Sequence, residues 1–200
     1  MPACQAQEAK SSQLPSHSDL QGALSFEAPP SGNIPGGWGG GPPGTIFADD
    51  KTVHGGRWSA RIERHADSPS VFSTITKSIP IDFSGTSIEL RGFVRTEDVS
   101  DFVGLWMRED GESPDLAFDN MQNRQLKGTT PWREYSITLP VHPEAKQLFF
   151  GFLVSGSGVA WADDLNCCWM ASPFGMHPES SGPKRRWIWT TSSMVARASL

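Results

Sequence analysis

Ser87-Ile88-Glu89-Leu90-Arg91-Gly92-Phe93-Val94-Arg95 alternates without a break. Ile88, Leu90, Gly92 and Val94 fall on one face; Glu89, Arg91, Phe93 and Arg95 fall on the other. A period of two with β-branched residues is the pattern of a strand with one buried face. The same reading extends outward. In 58–64, Trp58, Ala60, Ile62 and Arg64 share a face, and Ser59, Arg61 and Glu63 take the other. Residues 72–81 alternate as well, and further strands are expected at 23–27, 102–108, 116–120, 132–139, 147–154 and 158–165. Asp110-Gly111, Lys127-Gly128 and the segments 140–143 and 155–158 supply turns between them. The segment 36–44 holds six Gly and two Pro around Trp38 and reads as a loop. No helix-period segment exceeds two turns. Nine or ten short strands imply an all-β antiparallel sandwich, and a jelly roll suits the length.

Composition narrows the function classes. The chain has 200 residues, with 20 Gly and 16 Pro, which suits a protein rich in turns and strands. Its net charge of -5 argues against nucleic acid as the main partner. No apolar run approaches the roughly 18 residues of a membrane-spanning helix, so no transmembrane segment is expected. Cys4, Cys167 and Cys168 have neither a disulfide framework nor zinc-finger spacing.

The two ends differ from the middle. Residues 1–22 are polar and aperiodic and read as a disordered leader. They hold no intact signal peptide, although Met1-Pro2-Ala3-Cys4-Gln5-Ala6 looks like the end of one. A cytosolic chain with a loose start and a secreted chain with a misplaced start both stay open. Residues 166–200 contain no Asp, two of the three Cys and three of the eight Trp, and Lys184, Arg185, Arg186 and Arg197 make them basic. Reading each codon from its third base turns Trp169 into Met170 as Asp, and Trp187 into Ile188 as Asp. The segment is therefore expected to be disordered and out of frame, with the folded domain at 23–165.

Four pieces carry a resemblance: Ser25-Phe26-Glu27, then Val53-His54-Gly55-Gly56-Arg57-Trp58-Ser59-Ala60-Arg61, then Thr129-Thr130-Pro131-Trp132-Arg133-Glu134-Tyr135, and the closing Trp161-Ala162-Asp163-Asp164-Leu165. In that order and spacing the domain resembles the galactose-binding-like jelly rolls that include many carbohydrate-binding modules. More narrowly, Gly104-Leu105-Trp106-Met107-Arg108 and Phe118-Asp119-Asn120-Met121-Gln122 look like an accessory domain of bacterial envelope and regulatory proteins. That domain often precedes a serine peptidase core of the tail-specific (C-terminal-processing) family. The resemblance implies a cell-envelope or secreted parent with a peptidase core as partner, and no catalytic residue in this chain.

Three sites are expected. The resemblance implies a structural calcium held by Glu27 and Asp163, tying the chain ends together. Ca²⁺ takes six to eight hard oxygens, and carboxylates supply them. The competing reading has Asp163 accepting loop amides or pairing with an Arg. The second site is a sugar platform of Phe93, Arg95, Trp106 and Arg108, which line one groove if their strands are neighbours. Flat rings stack on sugar C–H groups and polar groups meet hydroxyls. Trp132 is read as a core anchor, and Trp106 is balanced between core and ligand. The third is a polar cluster of Asp119, Asn120, Gln122, Asn123 and Arg124, a binding loop or a solvated turn.

Catalytic patterns are absent. No Gly-x-Ser-x-Gly elbow occurs, and His17, His54, His65, His142 and His177 are scattered. A non-catalytic domain that binds or positions carbohydrate or peptide is expected. A free-standing carbohydrate-binding module and the effector-sensing domain of a regulator are the alternatives.

Overall fold

The computed structural model describes residues 24–82 and 85–170. The leader expected at 1–22 and most of the tail, 171–200, lie outside the described residues. Nine strands are found among the described residues: β1 (Gly39–Gly41), β2 (Ile46–Asp49), β3 (Ser59–Arg64), β4 (Phe72–Pro80), β5 (Ser87–Asp110), β6 (Ala117–Asp119), β7 (Leu126–Pro140), β8 (Gln147–Ser155) and β9 (Gly158–Met170). All pair antiparallel. The all-β sandwich is as expected.

Strand β5 organises the molecule. Its first half pairs with β7 on one side and β9 on the other; its second half pairs with β6 and β8. One layer therefore runs β1-β4-β8-β5-β6 and the other β7-β5-β9-β3-β2, with β5 crossing between them. We call these the first and second sheets. Two strands were expected here, at 87–95 and 102–108. They are one bent strand, because backbone pairing continues through the bend. The buried positions change from even to odd numbers between Thr96 and Val99, around Asp98, whose φ is 50°. That one-residue shift decides which outer surface each later side chain meets.

Three other expectations need correction. Residues 23–27 were expected as a strand, but Leu24 is helical and 25–28 form a bend and turn. The segment is held by side chains instead: Leu24 and Phe26 are fully buried, and Phe26 alone is worth about 2–3 kcal/mol of apolar burial. The glycine-rich segment is not all loop, since Gly39–Gly41 pairs with Thr74–Thr76 as an edge strand. And β9 continues past the expected domain boundary at Leu165 to Met170, pairing with Ser87–Arg91, with Cys167 in the core. Burial pushes that thiol's pKa up to about 12, with the neighbouring Cys168 adding to it.

The core fills the space between the sheets. Ile75, Leu105, Phe150, Phe152 and Val154 come from the first sheet, and Ile62, Ile88, Leu90, Val94 and Ala162 from the second. Trp38, on the loop before β1, closes one edge, 4.7 Å from Phe26 and edge-on to Phe150 at 5.9 Å. Its burial follows from chemistry: a large ring beside a sheet edge is cheapest to place inside.

Candidate functional site

The outer surface of the first sheet carries an aromatic platform. Register places Trp106 beside Gly151, Arg108 beside Phe149 and Phe118 beside Arg108. The Trp106 indole N–H donates to Thr74 Oγ1 at 2.9 Å. Thr74 lies two strands away, so the indole crosses β8 where Gly151 offers no side chain. The Arg108 guanidinium sits 5.1 Å from the centre of the Phe149 ring. It donates to Asp110 Oδ2 at 2.8 Å and faces Asp115 Oδ1 at 3.4 Å. Phe118 is 53% exposed, large for an apolar ring. Ser78, Gln147 and Asp110 border these rings in register, and a depression of about 400 Å³ lies between Gly39, Thr76, Ser78 and Phe149. Rings fixed by hydrogen bond and cation contact, with charged and hydroxyl groups at their edges, suit stacking on a flat polar ligand.

The outer surface of the second sheet is built differently. Arg95 lies 5.3 Å over Trp161 and Arg61 lies 4.6 Å over Phe47. Trp161 donates to Asp49 Oδ2 at 3.1 Å and is only 6% exposed. Burial would raise the pKa of Asp49. The Thr52 and Lys51 amides, the Trp161 indole and the Arg61 charge outweigh it and hold the carboxyl below its ordinary range. His54 stacks on Phe93 at 3.7 Å and meets Trp132 edge-on at 5.7 Å. Its Nδ1 is 2.6 Å from Asp164 Oδ2. Asp164 points there because it sits in a bulge of β9, with φ 49°, opposite Gly92. A Cβ on Gly92 would meet Leu165 Cδ2 at 2.1 Å, so the buried Leu165 side chain packs over a position that carries none.

Phe93 and Arg95 therefore do not share a groove with Trp106 and Arg108, as had been expected. They lie on opposite outer surfaces, because the crossing of β5 separates them. Trp132 is half-buried against His54 and is not a core anchor.

The two carboxylates expected to hold calcium grip one loop. Asp163 is 1% exposed; its Oδ2 accepts the His54 and Gly55 amides at 2.8 and 3.1 Å, and its Oδ1 accepts the Asp164 amide at 2.8 Å. Burial raises its pKa, those amides pull it back, and the Asp164 charge adds to the rise. Glu27 accepts the Arg57 amide at 2.9 Å and the Trp58 amide at 3.2 Å. Gly56, with φ 63°, is needed beside it, since a Cβ there would stand 2.3 Å from Glu27 Oε1. These oxygens face N–H donors, which is the geometry of an anion clasp. Among the described residues, no three acidic, histidine or cysteine side chains converge as a metal-holding group.

The third cluster is satisfied internally. Asp119 pairs with Arg124 at 2.8 Å and accepts the Met121 amide, while Asn120 accepts the Gln122 amide. It is a hydrogen-bonded turn at the end of β6. Sequence reasoning passed over Phe149 and Thr74, and did not bring His54 to Phe93, Trp132 and Asp164. The motif piece Val53-His54-Gly55-Gly56 was the available signal for His54; cross-strand register alone brings in the other two.

Comparisons with known proteins follow this architecture. No protein-family model matches the chain. The fold is similar to a xylan-binding domain of carbohydrate-binding module family 22, with TM-score 0.55 and 10% identity over 76% of this chain and 95% of that one. It is also similar to the C-terminal family 22 module of Clostridium thermocellum Xyn10B, with TM-score 0.52 and 9% identity over 76% and 93%. Part of an α-L-arabinofuranosidase, MgGH51, aligns with TM-score 0.53 and 16% identity, over 72% of this chain and 25% of the enzyme. The fold is thus that of the carbohydrate-binding-module jelly rolls. In sequence, 120 residues are 36% identical to an uncharacterized HTH-type transcriptional regulator, YbfP, of Bacillus subtilis (strain 168). The match covers 58% of this chain, and the chain spans 41% of the length of that curated relative.

Proposed function

We propose that this chain is a non-catalytic carbohydrate-binding domain whose ligand lies across the outer surface of the first sheet. The observation that carries the reading is the indole of Trp106, held across β8 by its hydrogen bond to Thr74, beside the Arg108–Phe149 pair and the exposed Phe118. A glycan ring meets such a platform through its C–H face, and its hydroxyls meet Arg108, Asp110 and Ser78. The fold shared with xylan-binding modules supports it.

A second reading is favoured by the 36% match: the sensing domain of a larger regulator. The two readings share a surface and differ in ligand size. A polymer-binding domain serves outside the cell or in the envelope and gains from each added sugar. A sensing domain takes a small effector and gains nothing from chain length. The tail-specific peptidase setting rests on the motif resemblance at 104–108 and 118–122 alone.

Titration of the full chain with xylose, galactose and glucose and with their β-linked oligomers, followed by tryptophan fluorescence and calorimetry, tests this. Saturable binding at about millimolar concentration or below, lost at least tenfold in Trp106→Ala, is expected. Affinity rising with oligomer length supports the polymer reading; equal affinity for monomer and oligomer supports the sensor. No saturable response to any sugar overturns both.

A further inference from the structure

Arg64 closes one end of the sandwich, where β3 gives way to β4, β5 bends and β8 turns into β9. It lies on the inward face of β3 with Ala60 and Ile62 and is 4% exposed. Its Nε donates to Gly156 O at 2.7 Å, its Nη1 to Ser73 Oγ at 2.5 Å and its Nη2 to Ser70 O. All three acceptors are neutral. Among the described residues no carboxylate lies within ion-pairing distance of this guanidinium, while Arg61, Arg91, Arg108 and Arg124 each have one. Asp101, on the neighbouring bend, takes the Ser155 hydroxyl at 2.6 Å and faces Lys127 at 3.9 Å. A buried cation without a counter-ion costs free energy, and burial lowers its pKa.

The same arginine floors a depression of about 340 Å³, at the lower end of small-molecule sites. Its walls are Ser68, Ser70, Ser100, Ser157 and the ring of His65. A guanidinium has five N–H donors, and three are used by the protein. A carboxylate or phosphate arriving here would meet an uncompensated positive charge and the Ser100 hydroxyl, which accepts from the Ser157 amide and hydroxyl at 2.8 and 3.1 Å and keeps its own proton to donate.

We propose that this end depression is a binding site for a small oxyanion, taken by the Arg64 guanidinium with the Ser100 and Ser157 hydroxyls at its rim. It is separate from the platform of Trp106, which lies on the outer surface of the first sheet.

The test is thermal denaturation and amide NMR of the full chain with D-glucuronate, acetate or inorganic phosphate, against glucose and sodium chloride at matched ionic strength. Binding should raise the melting temperature saturably, by about 4 °C well above the dissociation constant, and shift amides at 65–71 and 156–158. Replacing Arg64 risks unfolding the end loops, so the discriminating variants are on the rim. Ser157→Asp supplies an internal carboxylate and should abolish the response. Ser157→Asn removes the rim hydroxyl without adding charge and should weaken the response without abolishing it, whereas Trp106→Ala, outside this site, should keep it. A response to glucuronate alone identifies a sugar acid; responses to all three anions identify a general oxyanion site. The proposal is overturned if no anion acts beyond sodium chloride, if glucose shifts the amides at 65–71 and 156–158 as the anions do, or if Ser157→Asp responds like the parent chain.

Discussion

The two outer surfaces of the sandwich carry similar residues and use them differently. Both present aromatic rings and arginines in register across paired strands. On the second sheet the protein caps its own rings: Arg61 covers Phe47, Arg95 covers Trp161, and His54 covers Phe93. On the first sheet Arg108 covers Phe149 in the same way, but Trp106 is braced from its edge and Phe118 stands open. An aromatic ring is therefore a ligand platform or a structural lid according to what already lies on its face. Residue type does not separate the two.

Substitutions at the paired tryptophans break or confirm this contrast. Trp161→Ala should cost about 4 kcal/mol of stability in denaturant unfolding, because a nearly buried ring leaves a cavity under Arg95. Asp163→Ala should cost about 3 kcal/mol, since three backbone amides lose a charged acceptor at once. Trp106→Ala should cost only about 1 kcal/mol while removing sugar binding. Equal losses at Trp106 and Trp161 would show that the first surface is as closed as the second.

Finer effects sharpen the picture. Glu109 is fully buried on the inward side of the first sheet; its Oε2 accepts the His142 amide at 2.9 Å, and its Oε1 has no partner. Burial raises its pKa against the opposing pull of His142. A raised carboxyl contributes stability that is present below its unfolded pKa and is lost as pH rises through the folded value. Glu109→Gln, neutral throughout, should therefore gain up to about 1 kcal/mol at pH 7.5 and nothing near pH 3.5. Thermal melts at both pH values check it; an equal gain at both would exclude ionisation as the cause. The smallest effect is expected from a chelator. With Glu27 and Asp163 turned to loop amides, the melting temperature should move by less than about 1 °C, and a large fall would make the 53–58 loop a metal site after all.

Much of the fold was legible because a half-buried strand advertises itself locally. Glu89 to Arg95 alternates whatever its partners, and the buried faces of β3 and β5 came out as the alternation implied. The failures have physical causes. Gly39–Gly41 carries no side chains that alternate, so an edge strand there leaves no pattern. Residues 23–27 had strand-like composition, but 24–27 are held by Phe26 in the core and Glu27 on the amides of Arg57 and Trp58. The bend of β5 turns on one inserted residue near Asp98, too small a signal to read in advance.

The candidate site was half legible. Trp106 and Arg108 lie on one outer face of their strand, as alternation requires, and Asp163 and Glu27 do meet one loop, at the His54 and Gly55 amides and at the Arg57 and Trp58 amides. Grouping Phe93 and Arg95 with Trp106 failed because spacing along a chain says nothing of which sheet a strand has reached.

By itself, the sequence determined the strand content, the inward phase of each long strand and the absence of a catalytic motif, because each depends on residues close together in the chain. Tertiary structure alone decided which aromatic rings are capped, which sheet face each arginine serves, and that Arg64 ends buried without a carboxylate. Those outcomes depend on the path of β5 between two sheets and on cross-strand register. Both are set by the free energy of packing the whole core, in which no single segment carries the answer.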